Sequence, residues 1–275
     1  MKVIINEDLV NRKDVNLEIE DRGYQFGDGV YEVIRIYESV PYTLDEHIER
    51  FYRSAYEISI SPQLKKEELK KKLIRLIQEN QVINGGIYVQ ITRGIAPRKH
   101  HYDKSISPQL LAYTLPLNQL KKEQKEGVAT LTGEDLRWLR CDIKSLNLLY
   151  NVMMKQKAYE NGAFESILIR DGYVTEGTSS NVFMIKDQVI YTHPANHLIL
   201  DGITRRELLN LFKQKGWNYE ESAFLKEELM SADEVFITST TTEVIPVVSI
   251  DGLHISNGVP GSVTKEILKA FTQRI

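Results

Sequence analysis

A polar stretch, PLNQLKKEQKEG (Pro116–Gly127), divides the chain into two parts of different texture. It is poor in branched residues and closes on a glycine, as an interdomain linker does. On this division a small α/β domain occupies residues 1–117, the linker 118–127, and a larger, strand-rich domain 128–275. A chain of 275 residues is long for one domain, against roughly 100–200 residues per domain.

In the first part, Val3–Ile5 and Val33–Tyr37 read as strands, the second returning through Val40–Tyr42. Thr43 with Glu46 three residues on predicts a capping box. Behind it Leu44, Ile48, Phe51, Ala55 and Ile58 recur at helical spacing. A second helix is expected over Glu67–Asn80, its lysines interleaved with Glu67 and Glu68 as on a solvated face. Gly85-Gly86 opens a strand in which Ile87, Val89 and Ile91 alternate with Tyr88, Gln90 and Thr92, and Leu110–Leu115 follows. Beyond the linker, strands are expected at Val128–Thr132, Ser166–Arg170, Val182–Ile185, Val189–Tyr191, Glu234–Thr238 and Val244–Ile250. Helices near Leu146–Asn161, Thr204–Lys215 and Ser262–Gln273 interrupt them.

Composition excludes several classes. Hydrophobic residues at 42% and charged ones at 27% are globular values, not those of a disordered chain. A net charge of −3 argues against nucleic-acid binding through bulk charge. One cysteine, Cys141, cannot form an intrachain disulfide. Charge at Glu7-Asp8 interrupts any signal-peptide core, and no apolar run reaches the roughly 18 residues of a membrane span. The expectation is a cytoplasmic protein with no membrane contact.

Several segments can carry chemistry. Lys144, in WLRCDIKSLNLLYN, precedes a helix whose start is signalled by Ser145 or Asn147. A helix N-terminus and the apolar neighbours Ile143 and Leu146 would both disfavour an ammonium, leaving an amine able to attack a carbonyl. A surface lysine that happens to precede a helix fits the same residues. Glu176, in DGYVTEGTSSN, could hold a proton on a heterocycle nitrogen or bond to its own loop. In LDGITRREL, Gly202 and Ile203 precede a helix beginning near Thr204, whose free backbone amides could point at an anion, and VFITSTTTEV carries five consecutive hydroxyl residues, Thr238–Thr242. An ordinary cap and a polar loop would look alike. Arg98 and His100, in TRGIAPRKHHYD, could grip a carboxylate or form a basic surface loop. The glycines before Tyr31 in RGYQFGDGVYE allow close approach of a ligand or of a neighbouring strand.

Taken in order, EDRGYQFGDGVYE, EHIERF, TRGIAPRKH, WLRCDIKSLNLL, VTEGTSSNVF, ILDGITRREL and ADEVFITSTTTEVIPV resemble the class IV (fold-type IV) pyridoxal-phosphate aminotransferases, nearest their D-amino-acid branch. The likeness covers nearly the whole chain. It implies a two-domain α/β (α+β) fold, a small N-terminal domain and a larger pseudo-barrel domain that binds pyridoxal 5′-phosphate, with no metal. It assigns Lys144 the Schiff base to the cofactor and the shuttling of a proton between substrate Cα and cofactor C4′. Glu176 then pairs with the pyridine nitrogen, keeping the ring able to accept carbanion charge. Arg50, Ile203, Thr204, Thr240 and Thr241 would hold the phosphate, and Leu200 would pack on the ring face. Tyr31, Arg98 and His100 match the set that takes the substrate α-carboxylate, the latter two from the partner of a homodimer. The implied reaction converts D-alanine and 2-oxoglutarate to pyruvate and D-glutamate.

Two positions depart from the family pattern. His101-Tyr102-Asp103 stands where an aromatic-proline pair is expected, leaving either His100 or His101 to point inward. Tyr150 stands where several relatives have a small residue. The nearest alternatives are a branched-chain L-amino-acid aminotransferase, which shares the cofactor set, and 4-amino-4-deoxychorismate lyase on the same fold. The Arg98/His100 loop favours the D-amino-acid branch over both. A cofactor-binding protein without turnover is disfavoured by intact Lys144 and Glu176.

Overall fold

The computed structural model describes all 275 residues, Met1–Ile275, and divides into two units. The first comprises Met1–Asn118 and Ile143–Asn147, the second Gln119–Asp142 and Leu148–Ile275. The short segment carrying Lys144 therefore packs with the N-terminal unit, although it lies beyond Gly127 in sequence. Within the stretch read as a linker, Lys121–Glu126 form a helix grouped with the second unit. That helix buries no residue, so it carries no apolar period by which a sequence would reveal it.

The N-terminal unit runs β1 (Lys2–Ile5), β2 (Asp8–Asn11), α1 (Arg22–Phe26), β3 (Gly29–Tyr37), β4 (Val40–Pro41), α2 (Leu44–Glu57), α3 (Lys66–Glu79), β5 (Gly85–Thr92) and β6 (Gln109–Leu115). Its six strands pair antiparallel in the order β2-β1-β6-β5-β3-β4. One face of β3 sends Val30, Ile34 and Ile36 into a core with Ile48, Phe51 and Ala55 of α2 and Leu69, Leu73 and Leu76 of α3. The capping box does not form. Thr43 takes a left-handed φ of 49°, and its hydroxyl donates to Tyr42 O at 2.8 Å rather than capping α2. Burial of the apolar stripe sets the helix start without it.

The C-terminal unit runs α4 (Lys121–Glu126), β7 (Val128–Glu134), α5 (Leu149–Glu160), β8 (Glu165–Arg170), β9 (Tyr173–Gly177), β10 (Asn181–Lys186), β11 (Val189–Thr192), α6 (Ile203–Lys215), β12 (Tyr219–Glu221), α7 (Lys226–Met230), β13 (Glu234–Ser239), β14 (Glu243–Ile250), β15 (Leu253–His254) and α8 (Ser262–Thr272). Its nine strands form one mixed sheet, β12-β11-β10-β13-β14-β7-β8-β9, with β15 on β14. The sheet curls so that its end strand β9 returns beside β10, giving a half-barrel. Its buried strands β8, β10, β13 and β14 read as continuous apolar runs because both faces are covered. No helix of the chain is long and apolar enough to cross a membrane.

Candidate active site

In the N-terminal unit, the Lys144 segment is bonded to the start of β3. Tyr31 N donates to Lys144 O at 3.0 Å, and Leu146 N to Gly29 O at 2.9 Å. Gly29 permits this: a Cβ there would stand 2.9 Å from Leu146 Cδ1 and 2.5 Å from Ile91 O of β5. The close approach read from the glycines is thus to a neighbouring strand and to the lysine segment. Lys144 Nζ lies 4.6 Å from the centroid of the Tyr31 ring, half-buried, with no carboxylate or hydrogen-bond partner. The helix start expected near Leu146, signalled by Ser145 or Asn147, is corrected: helix α5 starts at Leu149.

Arg50 is on the inward face of α2, 3% exposed. Its Nε donates to Glu32 Oε1 at 2.6 Å and its Nη2 to Glu32 Oε2 at 3.0 Å, while His47 Nδ1 lies 2.8 Å from the same Oε2. Burial acts to raise the Glu32 pKa, but Arg50 and His47 outweigh it and hold the carboxyl well below its ordinary range. Burial pushes His47 down, against the pull of Glu32. Glu32 and His47 received no role from sequence, although their own motifs contain them and His47 and Arg50 share a helical face at i, i+3.

Arg98 and His100 lie in the β5–β6 loop, both exposed. Phe26 is their common platform. The Arg98 guanidinium stands 4.9 Å from its ring centroid, and the His100 ring meets it edge-on at 5.8 Å. His100, not His101, makes that contact.

In the C-terminal unit Glu176 is in strand β9 rather than in a loop, and 5% exposed. Its Oε1 accepts from Arg137 Nη1 at 2.5 Å; its Oε2 accepts from Leu200 N at 3.0 Å and Asn181 Nδ2 at 3.3 Å. Burial pushes its pKa above the ordinary carboxylate value, with Arg137 and the Leu200 amide holding it back. Arg137, which sequence reading missed, is itself fixed by Asp135, through Nη2 to Oδ2 at 2.8 Å. Glu165, also missed, is buried and organises the turn after Glu176: it accepts from Ser179 N at 2.5 Å and from the Thr178, Ser179 and Ser180 hydroxyls. Half-buried Leu200 is tied to this network by its amide. Tyr150, at the start of α5, donates its hydroxyl to Glu134 O.

Ile203 and Thr204 are the first two residues of α6, and no side chain caps that helix. Its N-cap, Gly202, is required: a Cβ would stand 2.1 Å from Asn181 Oδ1. Thr240 and Thr241 form the turn between β13 and β14, half-buried, with Ser239 Oγ 3.1 Å from Thr241 Oγ1 and 2.9 Å from Thr242 Oγ1. Free amides at a helix start and a hydroxyl-lined turn are both anion ligands.

The amino-transferase class IV family model matches residues 29–250. Over the whole chain the sequence is 59% identical to a D-alanine aminotransferase of Bacillus licheniformis, covering 97% of that protein. It is 48% identical to a D-alanine aminotransferase of Staphylococcus epidermidis, again over the whole chain and 98% of the relative. The solved branched-chain amino acid aminotransferase of Escherichia coli matches with a TM-score of 0.94 at 26% identity, over 99% of this chain and 93% of that one.

Proposed function

The chain belongs to the class IV aminotransferases, and from that premise we propose that it is a pyridoxal-phosphate-dependent D-amino-acid aminotransferase, moving the amino group of D-alanine to 2-oxoglutarate to give pyruvate and D-glutamate. The observation that carries this reading is the end-to-end identity with the D-alanine aminotransferases. The branched-chain enzyme shares the fold at a much lower identity, so fold alone does not choose between the two substrates.

The donor set fits pyridoxal phosphate. A half-buried amine without an acid partner suits its aldehyde, a buried carboxylate its pyridine nitrogen, and the uncapped amides of α6 with the 239–242 hydroxyls its phosphate. When bound, that group supplies an electron sink for the bond broken at the substrate Cα. Lys144 Nζ would hold the group and, once freed by the substrate amine, would take and return the Cα proton. Glu176, oriented by Arg137, Asn181 and the Leu200 amide, keeps a proton on the ring nitrogen. Arg50, Ile203, Thr204, Thr240 and Thr241 would hold the phosphate, and the Leu200 side chain would pack on the ring. Tyr31, Arg98 and His100 orient the substrate α-carboxylate, which sets the hydrogen that faces Lys144 and so the handedness of the product. The reading includes a cytoplasmic homodimer in which Arg98 and His100 serve the partner's substrate. It is supported by the exposure of both side chains.

A paired donor assay tests the proposal. D-Alanine with 2-oxoglutarate should release pyruvate and D-glutamate, Lys144→Ala should release neither, and L-leucine should be inert. Turnover of L-leucine in place of D-alanine would favour the branched-chain alternative, and pyruvate released from 4-amino-4-deoxychorismate the lyase.

A further inference from the structure

We propose that Arg22 is a positioning residue for substrate binding: it holds the main chain at Lys99 and His100, and thereby aims Arg98 and His100. The proposal rests on the reading in which those two side chains take the substrate carboxylate.

Arg22 opens α1 and is 3% exposed, far more buried than a lone guanidinium tolerates. Its Nε donates to Asp28 Oδ2 at 2.8 Å, its Nη1 to Lys99 O at 2.6 Å, and its Nη2 reaches His100 O at 3.4 Å. One planar fork thus spans two successive carbonyls of an exposed loop, fixing the Lys99–His100 peptide. The guanidinium also stands 4.7 Å from the Phe26 ring centroid, and Arg98 and His100 pack on that same ring. Further along the loop, Tyr102 lies over the Arg93 guanidinium at 3.6 Å. Arg93 in turn binds Asp28 through Nε and Nη2 at 2.8 and 2.9 Å. Asp28 therefore anchors both arginines, and both arginines anchor the loop. Every one of these contacts lies within one chain, so the hold acts whichever subunit's substrate the loop serves. Without it, a loop exposed from Arg98 to Ser105 would sample many directions for the two side chains.

The test compares steady-state kinetics of holoenzymes. Arg98→Ala/His100→Ala should raise the KM for D-alanine and 2-oxoglutarate strongly; no rise would refute the carboxylate reading itself, and the proposal with it. Arg22→Ala should raise both KM values about tenfold with kcat and the cofactor absorbance little changed, a split that a general loss of structure would not produce. Added to the Arg98→Ala/His100→Ala background, Arg22→Ala should raise KM no further, because it acts only through those residues. An unchanged KM in Arg22→Ala, or the full tenfold effect in that background, overturns the proposal. Should Arg22→Ala fail to accumulate folded, Arg22→Lys carries the test. It keeps the charge beside Asp28 but cannot span both carbonyls, and a KM within twofold of wild type would overturn the proposal.

Discussion

At the scale of single residues, Glu176 shows how much geometry one carboxylate can require. It has two oxygens and three donors: a guanidinium, a backbone amide and a side-chain amide. Only an ionised or acceptor-rich group satisfies all three. A glutamine has a single acceptor oxygen, so its amino group would face either Arg137 or the Leu200 amide, a donor against a donor. Glu176→Gln should therefore lower stability by about 1–3 kcal/mol in urea unfolding, the cost of an unsatisfied buried group. It also removes the negative charge from the group proposed to keep the ring nitrogen protonated. The kcat should fall by about 100-fold, on the scale of losing one preorganised electrostatic contact. A variant less stable by that amount but with unchanged kcat would limit Glu176 to a structural part.

At the scale of elements, α6 offers the sharpest test of where an anion binds. Its first turn is uncapped, and Gly202 lets Asn181 pass close enough to bond both Glu176 and Leu200 O. Gly202→Ala would place a methyl group 2.1 Å from Asn181 Oδ1, so Asn181 or the helix start must move. The cofactor should bind about tenfold more weakly when titrated into apoprotein, and an unaltered Kd would remove this helix start from the phosphate site. Much of the element pattern is legible in the sequence, because apolar alternation and helical periodicity report burial directly. Strands β1, β6, β8, β10, β11, β13 and β14 and helices α2, α3, α6 and α8 fall where such patterns place them within a few residues. The start of α5 does not, since polar Ser145 and Asn147 looked like caps while tertiary pairing keeps the Lys144 segment extended against β3. Nor do the partners of the proposed site residues. Glu32 lies 18 residues from Arg50, and Arg137 39 residues from Glu176; no local pattern marks which charges fold together.

At the scale of the whole molecule, each unit has its own apolar core and its own buried carboxylate held ionised by arginine. These are Glu32 in the N-terminal unit and Asp135 in the C-terminal one. Burial acts to raise the Asp135 pKa, but Arg137, Arg170 and Thr175 overcome it and bring it from 3.8 to about 2. A carboxyl whose pKa is lower folded than unfolded stabilises the fold above its unfolded value. That contribution is lost as pH falls toward the folded value, because the unfolded chain takes up protons first. For Asp135 the window runs from about pH 4 to about 2, and the stake is about 2 kcal/mol. Glu32 adds a loss of the same sign below about 4.5. Glu176, whose pKa is raised, has the opposite slope, but only above its unfolded value of 4.5. Below that pH both states of the chain hold its proton, so it leaves the acid limb unaltered. Stability should therefore fall steeply below pH 4.5, with no compensating rise. Asp135→Asn should be less stable than wild type at pH 7, since Arg170 loses its charged partner and Arg137 one of its two. Its stability should then fall less between pH 4 and 2, so that the two urea-midpoint curves converge on acidification. Parallel curves across that window would show that Asp135 is not the group whose protonation loosens the C-terminal unit.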